Sequence, residues 1–211
     1  MHPNVARTLV RERHNPNMTP AAGYRGKRAF DCGLALLLLP FLCLPMLVVA
    51  VLIKLTSAGP VLYWSDRVGR DNSIFSMPKF RTMKLHTPEV ATHLLGSPQA
   101  HLTVIGGFLR RVSLDELPQI YSVVRGELSV VGPRPALFNQ DDLIALRTDW
   151  GVQKLKPGIT GWAQVNGRDD LPIPRQVDYD YEYLQKKSFL FDLKILALTA
   201  VKVLRSDGVA H

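Results

Sequence analysis

The chain has 211 residues, enough for one core of ordinary size, and its composition is neither low-complexity nor collagen-like. Its 26 Lys and Arg against 18 Asp and Glu give a formal net charge of +8 and a pI near 9.7, so an anionic partner is expected: nucleic acid, a phospholipid surface or a phosphorylated small molecule. The two cysteines, Cys32 and Cys43, both lie in an apolar run, which argues against a disulfide scaffold or a cysteine-rich zinc site and fits a reducing, cytosol-facing location.

Residues 1–26 are polar, punctuated by Pro3, Pro16, Pro20, Gly23 and Gly26, and read as a mobile tail. Lys27-Arg28-Ala29-Phe30-Asp31 then leads into Leu34 to Ile53, a run of about 20 residues without a charge, roughly what a helix needs to cross the hydrocarbon core. On length alone this is a spanning helix. Two features oppose that reading. Pro40 and Pro45 each remove a backbone donor and clash with the preceding turn, so the helix should kink or break near its middle. Lys27 and Arg28 precede the run while Lys54, Arg67 and Arg70 follow it, so the positive-inside tendency puts both ends on the cytoplasmic side. A proline-broken, re-entrant segment over residues 27–55 satisfies both, with cover needed for the carbonyls freed near the bend.

Beyond Thr56 the character changes. Gly59-Pro60 marks a turn, Val61 to Trp64 a short strand, and Arg67 to Ser73 a loop in which Gly69 or Asn72 could be left-handed. Ile74 to Met77 is a second short apolar piece ended by Pro78. In Lys79-Phe80-Arg81-Thr82-Met83, an extended backbone would put Lys79 and Arg81 on one side and Phe80 on the other. Residues 84–103 show no clear period. After Ser113-Leu114-Asp115-Glu116-Leu117-Pro118-Gln119 come a short apolar helix ended by Gly126 and a strand running into Gly132-Pro133-Arg134-Pro135. Asp141 to Trp150 reads as a helix, Lys156 to Arg168 as a glycine-punctuated loop, and Asp178 to Lys187 as a tyrosine-rich helix. Phe189 to Arg205 carries Leu190, Leu193, Leu196, Ala197, Ala200 and Leu204 on one face; membrane-interface and core-packing roles are both open for it.

The carboxylates are the centre of interest. Ser113-x-x-Glu116 matches a capping box, but with Ser113 as cap Pro118 would fall inside the first turns. If the helix starts at Pro118 instead, Asp115 and Glu116 sit just outside its positive end, which favours an ionised carboxylate and nearby phosphate. Arg134 between two prolines and Arg168 after Asn166-Gly167 lie on restrictive backbone, as suits bidentate phosphate recognition, although solvated surface is the alternative for each. His86, His93 and His101 have no zinc-motif spacing, and no Walker loop, dinucleotide fingerprint or nucleic-acid motif occurs.

The set Lys27-Arg28-x-Phe30-Asp31, Lys79 to Met83, Ser113 to Gln119, Val131 to Pro135 and Lys156 to Arg168 resembles the bacterial sugar transferase family, the polyprenyl-phosphate glycosyl-1-phosphate transferases with one membrane-inserted segment. The resemblance runs from about Lys27 to Arg205 and is nearest to short exopolysaccharide-priming members. It implies a helix-rich α+β fold: tail 1–26, re-entrant membrane helix 27–55, and a cytosolic catalytic domain 56–211 with short strands and interfacial amphipathic helices. It also implies transfer of a sugar-1-phosphate from a UDP-sugar to undecaprenyl phosphate with release of UMP, on the cytoplasmic face of the bacterial inner membrane, with Mg2+ as cofactor. Carried onto this sequence, Asp115 is the nucleophile, Glu116 helps hold the metal, Arg110 steadies phosphate, and Arg134 and Arg168 assist. Lys79, Arg81 and Asp180 match family positions of less defined role.

The pattern departs from the family where Leu44 rather than serine precedes Pro45 with a second proline at 40, and where Ser65 replaces a usual glutamine. Membrane lipids are expected partners, nucleic acid is not, and a homodimer is allowed for. Glucose and galactose are the expected sugars, with an N-acetylated sugar the further option. Two other classes remain: a non-catalytic basic membrane adaptor of a polysaccharide assembly complex, and a membrane phosphohydrolase built on the same carboxylate pair.

Overall fold

The computed structural model describes residues 24–88, 98–167 and 171–205. The tail before Tyr24, His93 and Arg168 lie outside the described residues. The architecture is α+β and helix-rich. Helix α1 (Lys27–Thr56) is followed by an antiparallel pair, β1 (Leu62–Val68) and β2 (Ile74–Phe80). Helix α2 (Gly106–Arg111), a 3-10 turn (Leu114–Gln119) and α3 (Ile120–Arg125) come next. Strand β3 (Ser129–Val131) pairs in parallel with β4 (Gly158–Thr160), and between them lies α4 (Asp141–Asp149). Helices α5 (Trp162–Asn166), α6 (Ile173–Lys186) and α7 (Phe189–Arg205) complete the described chain.

The expected break in the apolar segment is corrected: α1 stays helical through both Pro40 and Pro45. The run is rich in leucine, a strong helix former, so each missing donor interrupts an otherwise favourable ladder. The segment is also held from outside, because residues on both sides of the prolines are tethered to the body. Asp31, Ala35, Leu39, Leu42, Met46, Val49 and Ile53 are buried or half-buried at a spacing of three to four, which is one helix face. The inner end of this stripe packs with Val123, Leu128 and Ile195, the outer end with Phe80 and Leu109. The opposite face, including Leu37, Phe41, Leu44, Leu47, Val51 and Leu55, is exposed and wholly apolar. Among the described residues α1 is the one helix long and apolar enough to cross a membrane.

A buried polar knot fixes the base of α1. Lys27 Nζ reaches Asp31 at 3.1 Å and Asp192 of α7 at 2.7 Å. Asp31 also accepts the Val130 backbone N–H at 3.2 Å, while Tyr183 and Tyr24 hydroxyls donate to Asp192 at 2.8 and 2.9 Å. Arg28 donates to the Val123 and Val124 carbonyls, capping the end of α3. Two carboxylates with almost no exposure are thus matched by one ammonium and several donors, as burial of charge requires.

The hairpin turn carries Asp71 and Asn72 in the left-handed region; Gly69 is extended, so of the two expected candidates Asn72 takes that conformation. Strand β2 runs on past Pro78, and Lys79 and Phe80 face opposite sides as alternation predicts. Only part of the 84–103 stretch is described; it includes a 3-10 turn at Pro98–His101 and a bridge between Met83 and Leu102. Helix α6 begins five residues before the expected Asp178, and the expected 156–168 loop contains β4 and α5. Helix α7 serves partly as core: Asp192 and Ile195 are fully buried, while Leu190, Leu193, Leu198, Val201 and Val203 are exposed.

Where β3 and β4 meet, three glycines allow backbone to touch backbone. A Cβ on Gly158 would lie 2.1 Å from the Gly132 nitrogen, and one on Gly161 would lie 2.1 Å from the Gly132 carbonyl oxygen. Gly158→Ala is therefore expected to cost about 3 kcal/mol through overpacking, whereas Gly33→Ala, on the helical face with nothing within 4 Å, should stabilise by about 0.5–1 kcal/mol. Thermal unfolding of both variants in detergent checks the contrast.

Candidate active site

The segment 113–119 follows neither local rule. Ser113 is left-handed with φ 57° and makes no side-chain cap bond, so the capping box does not form. The helical run does not start at Pro118 either: a 3-10 turn over Leu114–Gln119 holds both carboxylates and Pro118, and the α-helix begins at Ile120. The reason is tertiary. Leu114 and Leu117, three apart and therefore on one side of a 3-10 turn, pack on Val49 and Ile53 of α1 with Phe80 and Leu109. That anchorage winds the turn before Pro118 and aims Glu116 at the opposite neighbours.

Glu116 is gripped by two cations. Lys79, from the end of β2, donates to its Oε1 at 2.9 Å. Arg134, leaving β3 between Pro133 and Pro135, places Nη2 2.9 Å from Oε1 and Nη1 3.4 Å from Oε2, a forked approach that its planar group permits. Burial would raise the Glu116 pKa, but Arg134 and Lys79 outweigh it and hold the carboxyl well below the usual range. Burial likewise lowers the Lys79 ammonium pKa, against the pull of Glu116.

Asp115, only 8% exposed, accepts no hydrogen bond from a described residue. Burial pushes its pKa up, with Glu116 adding to that and Lys79, Arg110 and Arg134 opposing it. Arg110, at the end of α2, is oriented by donation of its Nε to Thr82 Oγ1 at 3.0 Å, and both carboxylates act on its charge. Lys79, Arg110, Asp115, Glu116 and Arg134 thus form one cluster drawn from a single chain, with three positive against two negative groups.

Other expected site residues fall elsewhere. Arg81 is buried, with Nε and Nη2 donating to the Pro60 and Ser57 carbonyls at 2.7 and 3.0 Å, so it ties the exit of α1 to β2. Asp180 lies one step behind the cluster: it holds Arg147 through contacts of 2.6 and 3.0 Å, and Arg147 Nη1 donates to the Arg134 carbonyl at 2.9 Å. Burial raises the Asp180 carboxyl pKa, which Arg147 partly offsets. Pro40 and Pro45 lie within α1, remote in role from this chemistry. Arg147 and Thr82 were not given roles from the sequence: Arg147 sits in no patterned motif, Thr82 lies in the Lys79 to Met83 motif but its partner is 28 positions away, and the partner of Arg147 is 33 away.

A magnesium ion held at this cluster would take its side-chain ligands from the two carboxylates. No group of three or more metal-ligating side chains occurs among the described residues, but Mg2+ commonly takes one or two carboxylates and completes its shell with phosphate oxygens and water. Among the described residues no donor engages Asp115, and the Glu116 carboxylate retains acceptor capacity beyond its three donor contacts there.

Removing one partner of a buried ion pair leaves the others uncompensated. Glu116→Gln is expected to destabilise the chain at neutral pH by about 3 kcal/mol. Because the folded-state pKa of Glu116 is depressed, its stabilisation is present above the ordinary glutamate range and is lost as pH falls through the depressed value. The stability gap between wild type and variant should therefore close on acidification, as measured by denaturation in detergent at several pH values.

The sequence profile described as bacterial sugar transferase matches residues 23–206. An Escherichia coli K12 protein named UDP-glucose:undecaprenyl-phosphate glucose-1-phosphate transferase is 39% identical over 193 residues, covering 87% of this chain and 42% of that protein. The Bacillus subtilis protein named uncharacterized sugar transferase EpsL is 38% identical over 185 residues, covering 87% of this chain and 89% of its own length. The exopolysaccharide production protein ExoY of Sinorhizobium fredii is 35% identical over 197 residues, covering 86% and 87%. The chain spans about two fifths of the E. coli relative and most of the other two. On this match and the cluster it contains, the chain belongs to the bacterial sugar transferase family.

Proposed function

We propose that this chain transfers a sugar-1-phosphate from a UDP-sugar to undecaprenyl phosphate, releasing UMP, as the priming membrane step of exopolysaccharide, capsule or O-antigen assembly. One observation carries the reading: two adjacent carboxylates are made unequal, Glu116 clamped by Lys79 and Arg134, and Asp115, buried near Arg110, engaged by no donor among the described residues. Unequal environments assign separate roles to like groups. The names of the E. coli and S. fredii relatives support the acceptor, the donor and the pathway. Glucose is the first sugar to test, galactose the second.

An Asp115 carboxylate oxygen attacks the sugar-bearing phosphorus. The bond from that phosphorus to the bridging oxygen breaks, and UMP leaves with its electron pair. An oxygen of undecaprenyl phosphate then attacks the same phosphorus and displaces the Asp115 carboxylate, which is regenerated. Arg110 and Arg134 offset charge on the transferring group and orient it, and the buried setting strengthens those contacts. Lys79 and Arg134 hold Glu116 in place throughout. Mg2+ bound through Glu116 and substrate phosphate would supply further charge neutralisation.

The membrane arrangement accords with the same reading. A helix whose inward stripe touches one body along its length, bent at its prolines without being broken, would form a re-entrant segment that begins and ends on the cytoplasmic face of the inner membrane. Its exposed apolar face, with Leu190, Leu193 and Val201 of α7 and Phe108 of α2, would sit in the interfacial layer, bringing the cluster to the depth of a lipid phosphate.

Asp115→Asn should lower UMP release from UDP-glucose and undecaprenyl phosphate by about 10⁴-fold or more; full activity in the purified variant would rule out the nucleophile assignment. Asp115 must be ionised to attack and burial raises its pKa, so wild-type kcat/KM should fall as pH drops through a value above the ordinary aspartate range. Sugar phosphate released without lipid acceptor would indicate a phosphohydrolase instead. For topology, Arg25→Cys and Ala58→Cys, each in a chain lacking Cys32 and Cys43, should react with an impermeant thiol reagent from the same side.

A further inference from the structure

A second basic site lies away from the carboxylate cluster. A cavity of about 310 Å³ opens at the foot of α1, within the size range of small-ligand pockets. Lys27, Arg28, Arg70, Lys154, Lys156 and Lys187 line it, and Asp31 is the one acidic wall residue. No wall residue belongs to the cluster of Asp115, Glu116, Lys79, Arg110 and Arg134. The segments entering β3 and β4 form its floor at Ser129 and at Lys154 to Lys156, whereas Arg134 stands on the segment leaving β3.

The cations are unequally engaged. Lys27 is matched by Asp31 and Asp192, and Arg28 by the α3 carbonyls. Among the described residues Arg70 meets only its neighbour Asp71, at 3.3 Å on the surface. Lys154, Lys156 and Lys187 have no ion pair or hydrogen bond to a described residue. Lys187 is half-buried, and burial, with a smaller contribution from the nearby Arg70, lowers its ammonium pKa. The site also adjoins the apolar surface: Phe189, next to Lys187, packs edge-on against Tyr24 at 5.8 Å and Phe30 at 5.3 Å, and Leu190 beside it is 76% exposed.

We propose that this cavity is a phosphate-binding site separate from the transfer centre, with Lys154, Lys156 and Lys187 as its unmatched cations and Arg70, paired only with Asp71 at the surface among the described residues, as a further one. Its ligand carries a phosphate group, either as a lipid headgroup at the foot of α1 or as a soluble phosphate compound. The site is proposed for binding only.

The full chain in non-ionic detergent is titrated by calorimetry with inorganic pyrophosphate in one arm and with short-chain phosphatidylglycerol in the other, with short-chain phosphatidylcholine, whose phosphate is offset by its choline, as the net-neutral zwitterionic control. Lys154→Gln combined with Lys187→Gln should weaken the occupied arm about fivefold per lysine removed, and Arg70→Gln, from a different element, should weaken the same arm. Pyrophosphate binding lost in the variants assigns a soluble ligand; phosphatidylglycerol binding lost, with phosphatidylcholine silent, assigns a lipid. UMP release in detergent should stay at the wild-type rate, which separates this site from the Asp115 reaction. The proposal is overturned if neither arm changes, or if both variants lose UMP release together with binding.

Discussion

The Glu116 carboxylate, held between Lys79 and Arg134, is the contact on which the site depends. It joins three parts of the fold that have no backbone pairing to one another: the end of β2, the 3-10 turn and the segment leaving β3. Each of these charged groups is mostly removed from water, and an unmatched one would carry a desolvation cost of several kcal/mol. The clamp also differentiates the dyad. By occupying two cations Glu116 stays ionised, and Asp115, one residue earlier, is left in a buried position with Arg110 as a nearby charge. A pair of identical groups would share one environment; this pair does not.

Behind the clamp stands a second set of restraints. Arg134 is aimed by prolines on both sides, by the close glycine contact of Gly132 with Gly158 and Gly161, and by Arg147 at its carbonyl. Arg147 is itself fixed by Asp180, whose carboxylate is almost fully buried. Such outer partners matter because a forked Arg-carboxylate contact tolerates little displacement. On the other flank, Leu114 and Leu117 seat the turn on Val49 and Ile53, so the segment with a membrane-grade apolar face is also the wall against which the carboxylates are positioned. Membrane attachment and site geometry are therefore one mechanical unit, and the Lys27, Asp31 and Asp192 knot fixes its far end.

Much of this was legible in the chain alone. The apolar run from Leu34 to Ile53, the carboxylate pair before Pro118, the proline-flanked Arg134 and the alternation of Lys79 with Phe80 are all local patterns, because burial period, backbone restriction and charge are written in neighbouring residues. Pro118 correctly cast doubt on a capping box, since Ser113 makes no cap bond. The same residue misplaced the helix start, because local rules could not see Leu114 and Leu117 resting on α1. The prolines of α1 likewise suggested a break, whereas the segment stays helical through both of them and is packed against the body on either side.

What the sequence by itself determined is where along the chain the charged and apolar groups reside: an adjacent carboxylate pair, basic loops and one apolar segment. Tertiary structure alone decided which residue does which work. Glu116 is the clamped carboxylate because Lys79, 37 residues away in sequence, and Arg134, 18 away, converge on it. Arg81, one alternation from Lys79, instead closes the exit of α1, and Arg147 joins the site through a backbone carbonyl that no pattern marks. The physical reason is that charge pairing and desolvation depend on distance in space, which chain order does not encode for contacts this far apart.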